Sequence, residues 1–330
     1  MNILAIETSC DDTAIALVQV KNKKFKVLSS VVSSQIEIHK KWGGVYPSLA
    51  KREHIKNLPV VFKKAHKKQK STDFVAVTVG PGLEPCLWTG INFARDLAKK
   101  LDIPIIPVNH VEAHILVNFI KKRPKLPALA LVVSGGHTQL ILVKDIGKYK
   151  ILGETRDDAA GECFDKTARI LGLDYPGGPA IAKQACVKPG FTQKLPRPMM
   201  YSKDYDFSFS GLKTAVLYNF RNQSRKTQKS KKYIQEMASE IQQAVIDVLA
   251  KKTKLAALDY NVKTIIVGGG VSANKELRRQ FKKTFNNVIF PDKELSTDNA
   301  VMAAVAGYYN KSKKTKDYEK IKAKANLRIA

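Results

Sequence analysis

His110 and His114, in the run HVEAH, stand four residues apart. On a helix that spacing puts both rings on one face, where two imidazoles can hold a single cation. Glu112 falls roughly opposite them. A zinc protease of the H-E-x-x-H type needs its glutamate directly after the first histidine, so the base for that chemistry is missing. The plainer reading is two ordinary histidines near a helix start. Their setting favours the metal pair: the chain has only six histidines, and these two follow the end of an apolar, strand-like run. Asp298, in the run STDN, fits two roles. It can cap the helix that follows, or supply the carboxylate of a two-histidine, one-carboxylate metal site. Spacing alone does not choose.

Three turns suit phosphate or proton chemistry. Ser134-Gly135-Gly136-His137 links two apolar runs. Glycines there can leave backbone N–H groups open to an anion, or simply make a hairpin turn. Gly268-Gly269-Gly270, with Asn274 just beyond, separates a buried strand from a helix, a setting that favours a phosphate or nucleoside. It matches neither the dinucleotide fingerprint nor a P-loop, and close strand–helix packing is the alternative. Ser9-Cys10-Asp11-Asp12 makes the first turn. Its carboxylates can hold a metal, a water or a hydroxyl, or be an ordinary acidic turn. Further on, Asp165 lies one turn into a helix opened by DDAAGE, placed to reach a ribose hydroxyl. The run YDFSFSGLK mixes aromatics, hydroxyls and a lysine, and suits RNA contact or packing equally.

These residues need a frame to bring them together. The β-rich runs Asn2–Thr8, Thr13–Val20 and Lys26–Ser33, broken by turn residues, predict an antiparallel meander. A helix over 46–68 follows, with Pro47 in its first turn, then strand 74–79, helix 83–101, strand 103–108 and helix 111–120. The order restarts with strands 128–134, 138–144 and 149–153. Helices 162–171, 179–186, 209–220 and 233–259 come next, then strand 264–267, helix 274–285, strand 287–290 and helix 297–309. Residue 2 thus corresponds to about residue 128. The expected fold is α/β, with two duplicated ribonuclease-H-like lobes around a central cleft, as in actin, sugar kinases and the Hsp70 ATPase. The lobes are expected at 1–121 and 122–330. A terminal helix at about 297–310 is free to pack back on the first, and the basic tail 311–330 is helical or disordered. Small molecules favour such lobe junctions.

Bulk properties narrow the class. Apolar residues make up 44% of the 330, enough for a core and against disorder; a chain this long buries about 75% of its unfolded surface. Lys plus Arg is 57 against 29 Asp plus Glu, a net charge of +28. That excess favours a polyanionic partner, nucleic acid first, although a lysine-biased proteome can explain part of it. The longest apolar runs fall far short of the about 20 residues of a membrane helix, and Glu7 interrupts the amino-terminal apolar run, against a signal peptide. Cys10, Cys86, Cys163 and Cys186 lie far apart with no C-x-x-C, which suits a reducing, cytoplasmic setting.

Eight motifs follow in order from Ile3 to about Tyr309: ETSCDDT, SSQIEIHKKWGGVYPSLAKREH, NHVEAH, VSGGHTQL, DDAAGECFDKTARILGLDYPGGP, DFSFSGLKTA, GGGVSANKELR and STDNAVMAA. Together they resemble the tRNA N6-adenosine threonylcarbamoyltransferase family of the bacterial TsaD type, in the glycoprotease-like branch of the actin, sugar-kinase and Hsp70 superfamily. The resemblance implies one divalent metal, iron or zinc with magnesium a further candidate, on His110, His114 and Asp298. It places substrate at Val132, Val133, Ser134, Gly135, Gly136, Asp165, Gly178 and Asn274. The donor would be threonylcarbamoyl-adenylate. The acceptor would be the N6 amine of the adenosine beside the anticodon in tRNAs reading ANN codons, and AMP would leave. Similar enzymes act with a small paralogue, TsaB, and a P-loop ATPase, TsaE; no membrane or DNA partner is expected.

On their own chemistry, the Gly135–Gly136 and Gly268–Gly270 amides would hold phosphate and nucleoside. Asp11, Asp12 or His137 would position the acceptor amine or take its proton. The chain departs from the family at Asp12, where glutamate is usual, at Ala182, and in the unusual run LEPCLWT. Two other classes compete. A small-molecule kinase of the same fold would release ADP rather than AMP. A non-catalytic tRNA-binding protein would leave the histidine pair and glycine turns unexplained.

Overall fold

The run NILAIE forms strand β1 (Asn2–Glu7), buried at every residue. A strand covered on both faces reads as a continuous apolar stretch rather than an alternating one, and β1 is the middle of a five-stranded sheet. It pairs antiparallel with β2 (Asp12–Lys21), and β2 with β3 (Lys24–Ser34). Short helix α1 (Ile36–Lys40), which the sequence reading does not anticipate, and α2 (Pro47–Ala65) lead into β4 (Phe74–Gly80). Then come α3 (Glu84–Leu101), β5 (Ile105–Asn109) and α4 (His110–Leu116). Strand β4 runs parallel to β1, and β5 parallel to β4. The carboxyl ends of three parallel strands therefore share one edge, the usual ligand side of an α/β sheet. Glu7, Thr78 and His110 are delivered there. Helix α4 starts one residue earlier than expected because Asn109 caps it, its side chain accepting the Glu112 N–H at 3.0 Å.

This computed structural model describes residues 1–67, 71–185 and 194–329. The second half repeats the first. Strands β6 (Ala128–Val133), β7 (Thr138–Asp145) and β8 (Lys148–Glu154) form the meander. Helices α5 (Ala160–Ile170), α6 (Gly177–Gln184), α7 (Ser210–Arg221), α8 (Arg225–Gln228) and α9 (Lys231–Asp259) follow. Strand β9 (Thr264–Gly268), helix α10 (Lys275–Thr284) and a two-residue β10 (Val288–Ile289) complete it. The sheet orders are β3-β2-β1-β4-β5 and β8-β7-β6-β9-β10, the same plan twice. Cys186, the expected end of α6, lies outside the described residues. Helix α9 buries Met237, Ile241, Val245 and Leu249 in a core with Leu129, Leu131 and Val267 of the sheet. Lys252 is buried on the same helix, and its ammonium donates to Ser202 Oγ at 2.7 Å and to the Asp204 carbonyl at 2.6 Å, which is how a buried charge is tolerated.

By contacts, the two units are Met1–Pro124 with Ile146–Lys148 and Pro291–Ala330, and Lys125–Asp145 with Tyr149–Phe290. The second unit thus ends at Phe290, not at the chain's end. Helix α11 (Ala300–Tyr309) belongs to the first unit and packs on β1, β2 and α4. Its run AVMAAVAGYY is apolar all round, as suits a buried helix. The basic tail is neither a long helix nor disordered through 329. Ile105 and Thr315 exchange N–H···O bonds at 2.9 and 3.0 Å, and Lys324 N–H reaches the Val79 carbonyl at 2.7 Å. Backbone bonding, with Ile321 buried, straps the tail to the sheet while its lysines stay outside.

Gly269, just after β9, has φ +86°, and a Cβ there would lie 2.3 Å from the Val133 carbonyl oxygen. We expect Gly269→Ala to cost at least about 1–3 kcal/mol, read as a lowered denaturation midpoint. Gly136→Ala, whose Cβ meets nothing within 4 Å, should leave that midpoint unchanged.

Candidate active site

Glu7, at the end of β1, is fully buried and fully engaged. Its Oε1 accepts the Ser9 N–H at 2.7 Å, and its Oε2 accepts the Thr78 hydroxyl at 2.6 Å. The same Oε2 lies 3.2 Å from His110 Nδ1, and Ser9 Oγ is 3.1 Å from that nitrogen. A carboxylate only accepts, so His110 carries its proton on Nδ1 and presents Nε2 to the other side. There it meets Asp298 Oδ1 at 3.6 Å, and His114 Nε2 meets the same oxygen at 3.2 Å. Burial alone would lower the His110 pKa, but the Asp298 and Glu7 carboxylates outweigh it and push it up to about 9. Burial would raise Glu7, but the His110 imidazole and the Thr78 hydroxyl hold it below its ordinary value.

The trio has the character of a metal site. One ligand atom from each of His110, His114 and Asp298 falls within 4.8 Å of the others. Ligand atoms about 2.1 Å from one tetrahedral ion stand about 3.4 Å apart, and the 3.2 and 3.6 Å separations bracket that spacing. Both ring nitrogens of His114 are buried without a hydrogen-bond partner, since the approach to Asp298 lacks hydrogen-bond alignment. An imidazole so placed fits a cation. Asp298 is not the cap of α11: that cap is Asn299, whose side chain accepts the Met302 N–H at 3.0 Å.

Asp11 and Asp12 sit beside this trio in a turn held by His54, Gln35 and Leu83. His54 donates Nε2–H to the Cys10 carbonyl at 2.9 Å, and its Nδ1 receives the Thr13 hydroxyl at 2.8 Å. Gln35 donates its N–H to the Asp11 carbonyl at 3.2 Å. Leu83 N–H binds the Ser9 carbonyl at 2.8 Å. Burial, reinforced by the Asp298 charge, raises the Asp11 carboxyl. Burial pushes Asp12 up to about 7, helped by the charges of Asp11, Asp298 and Glu7 and opposed by a hydrogen bond with Ser34. Asp12 Oδ1 is buried with no hydrogen-bond partner. Glu7, Asp11, Asp12 and Asp298 gather four carboxyl groups on one unit, which makes the spot attractive to a cation.

The second unit carries a different surface. Ser134 N–H donates to the His137 carbonyl at 2.8 Å, and His137 N–H to Ser134 Oγ at 3.0 Å, so the 134–137 run is a closed hairpin turn. Helix α5 abuts it, with Gly161 N–H on the Ser134 carbonyl at 3.1 Å. Asp165 Oδ1 accepts Gly177 N–H at 2.7 Å and so ties the PGGP turn to α5. A Cβ at Gly135, Gly136 or Gly178 would meet nothing within 4 Å, so these three present bare backbone to open space. Val132 and Val133 are core residues of β6. Gly268 ends β9, and Gly269 packs on Val133. Asn274 caps α10, accepting the Glu276 and Leu277 N–H groups at 2.9 and 3.0 Å and donating to Gln242 at 2.8 Å. The hydroxyls of Ser208 and Ser210 both donate to Asp157, at 2.5 and 2.6 Å. The DFSFS run is therefore tied to Asp157 by hydrogen bonds, with Phe207 and Phe209 buried beneath it.

Comparison with known proteins decides the family. A family model described as tRNA N6-adenosine threonylcarbamoyltransferase (TsaD) matches residues 26–305. The curated tRNA N6-adenosine threonylcarbamoyltransferase of Thermosipho africanus is 47% identical, covering 100% of both chains. The chain belongs to the tRNA N6-adenosine threonylcarbamoyltransferase family. A relative of the same name from Bacillus subtilis is 45% identical over 93% of this chain and 90% of its own. Among solved structures, T. kodakarensis HypF has a TM-score of 0.61 at 14% identity, covering 96% of this chain and 48% of that one. Component A of the Acidaminococcus fermentans (R)-2-hydroxyglutaryl-CoA dehydratase has 0.55 at 14%, covering 97% and 99%. Both share the duplicated-lobe fold. Among the described residues no helix is long and apolar enough to cross a membrane.

The sequence reading assigned no site role to Glu7, which it noted only as a break in an apolar run, and none to Thr78, Gln35 or His54. A glutamate inside an otherwise apolar strand was the available signal for Glu7, because a buried carboxylate must be paired. In this family member it orients a metal-ligand candidate, as an outer carboxylate does for a ligating histidine. We expect Glu7→Gln to lower zinc affinity about 10–100-fold, measured by competition with a chromophoric chelator, with the fold retained by circular dichroism.

Proposed function

We propose that this chain transfers the threonylcarbamoyl group of threonylcarbamoyl-adenylate to the N6 amine of the adenosine adjacent to the anticodon in tRNAs reading ANN codons, releasing AMP. The observation that carries this reading is the 47% identity to a curated transferase of that name over the whole of both chains. The family membership makes the protein a tRNA-modifying acyltransferase. An exocyclic aromatic amine is a weak nucleophile, so its partner must be activated; a mixed carbamic–phosphoric anhydride, with AMP as leaving group, is.

His110, His114 and Asp298 would hold one divalent ion, iron or zinc. When bound, that ion would supply Lewis-acid polarisation and a fixed point for donor oxygens. The remaining work falls to the chain. Glu7 keeps His110 in the tautomer that offers Nε2. The bare backbone at Gly135, Gly136 and Gly178 takes the phosphate and nucleoside of the donor, with Asp165 fixing the turn that carries Gly178. The carbonyl carbon forms a bond to N6 as its bond to the phosphate oxygen breaks, and the amine must lose one proton. Of Asp11, Asp12 and His137, Asp12 is best suited to accept it. Its pKa near 7 matches the working pH, and its Oδ1 has no other partner. Aspartate in place of the family's usual glutamate sets that oxygen one methylene further back. Transfer is then mostly positioning and charge stabilisation. TsaB-like and TsaE-like proteins belong in the assay as partners, and the cytoplasm is the expected site.

A base must be deprotonated to act, so the single-turnover rate should rise with pH, and a bound cation, by favouring the Asp12 carboxylate, should move that rise below the metal-free value of about 7. Asp12→Asn should remove that limb and slow transfer about 10²–10⁴-fold. The central test is reconstitution with threonine, bicarbonate, ATP, an adenylate-forming enzyme, unmodified tRNA and both partner proteins. We expect threonylcarbamoyladenosine and AMP in equal amounts. ADP release onto a small molecule would favour a kinase instead, and no modified nucleoside with the full set would refute the reading. His110→Ala/His114→Ala should abolish metal binding and transfer together.

A further inference from the structure

The loop between α1 and α2 reads KWGGVY across residues 41–46. Its two aromatics, Trp42 and Tyr46, stack on each other with centroids 5.7 Å apart and planes 26° from parallel. They nevertheless remain 58% and 53% exposed. Large aromatics are ordinarily among the most buried side chains, so an ordered pair standing in solvent marks a contact surface. The Lys41 ammonium lies 5.7 Å from the Trp42 ring centroid, and Lys40 beside it is also exposed.

The loop is held rigidly from beneath. His39 is fully buried. Its Nδ1 receives the Tyr46 N–H at 3.3 Å, and its Nε2–H donates to Gln35 Oε1 at 3.1 Å. The Trp42 N–H donates to the His39 carbonyl at 2.9 Å. Gln35 in turn donates its own N–H to the Asp11 carbonyl at 3.2 Å. A short hydrogen-bonded chain, from Asp11 through Gln35 and His39 to Tyr46, thus connects the acidic turn to the aromatic pair within one unit. A preorganised contact loses less entropy on binding.

We propose that Trp42 and Tyr46 form a stacking platform for an unpaired base of the tRNA acceptor, flanking the adenosine that is modified, with Lys41 beside them to meet its phosphates. This rests on the tRNA-acceptor reading above. Aromatic faces interleaved with lysines are what single-stranded nucleic acid binds, because every base has a π-face and every nucleotide a negative charge. The net charge of +28 favours that polyanion over an apolar protein surface. Stacking is tolerant of base identity, which suits an enzyme that serves several tRNAs.

The chain has two tryptophans, Trp42 and Trp88, so Trp88→Phe leaves Trp42 as the only indole. Titrating this variant with unmodified tRNA, and separately with its anticodon stem-loop, should quench Trp42 fluorescence to saturation. Trp42→Ala and Tyr46→Ala should each raise the tRNA dissociation constant about tenfold, while zinc binding and the rate at saturating tRNA stay near wild type. Filter binding that detects bound tRNA while Trp42 fluorescence stays constant would overturn the platform alone. Quenching by a partner protein but not by tRNA would likewise assign the pair to a protein interface and overturn it. Loss of tRNA binding in the wild-type protein itself would overturn the acceptor reading, and the platform with it.

Discussion

A carboxylate without water must find partners inside the protein, and the first unit is organised around one that does. Glu7 closes the fully buried central strand of its sheet, where its charge would be untenable alone. Its two oxygens take a backbone N–H from the next turn, a hydroxyl from β4 and the imidazole of α4. One buried charge therefore fixes three elements at the carboxyl edge of the sheet. Everything proposed for the metal depends on it, because the orientation of His110 decides which nitrogen faces Asp298.

The two sheets have the same strand order, yet their turns have opposite characters. In the first unit the meander turn is acidic, and imidazoles gather behind it. In the second the equivalent turn is Gly135-Gly136, with open backbone and no side chains in the way. One scaffold thus offers an acidic edge and, separately, an edge of uncovered backbone. The chemistry lies in loops grafted on a repeated frame, not in the frame itself.

Much of this was legible in the sequence, and the reason differs by residue. The His110–His114 pair could be read because helical periodicity is local. The duplicated order could be read because each strand is short, apolar and bounded by turn residues. Asp298 stayed ambiguous because one residue's shift in the helix start decides between Asp298 and Asn299 as cap, and the histidines it joins lie in a distant stretch of chain. Gln35 and His54 were hidden among polar residues whose bonds are long-range. Asn274 was legible only as a residue at a helix start; its cap bonds and its link to Gln242 emerge in three dimensions. The tail was misjudged because lysine-rich composition suggests solvation, whereas main-chain bonds to β4 and β5 carry no compositional signature.

The first unit is discontinuous: it needs residues from both ends of the chain, while Lys125–Phe290 contains all of the second. During synthesis, the second unit is complete before the first. Until α11 emerges, the nascent first unit lacks the helix that covers β1 and β2, and His110 and His114 stand without Asp298. A nascent chain that has emerged as far as residue 290 holds all of the second unit and only part of the first. The three candidate metal ligands are thereby brought together only in chains translated to completion.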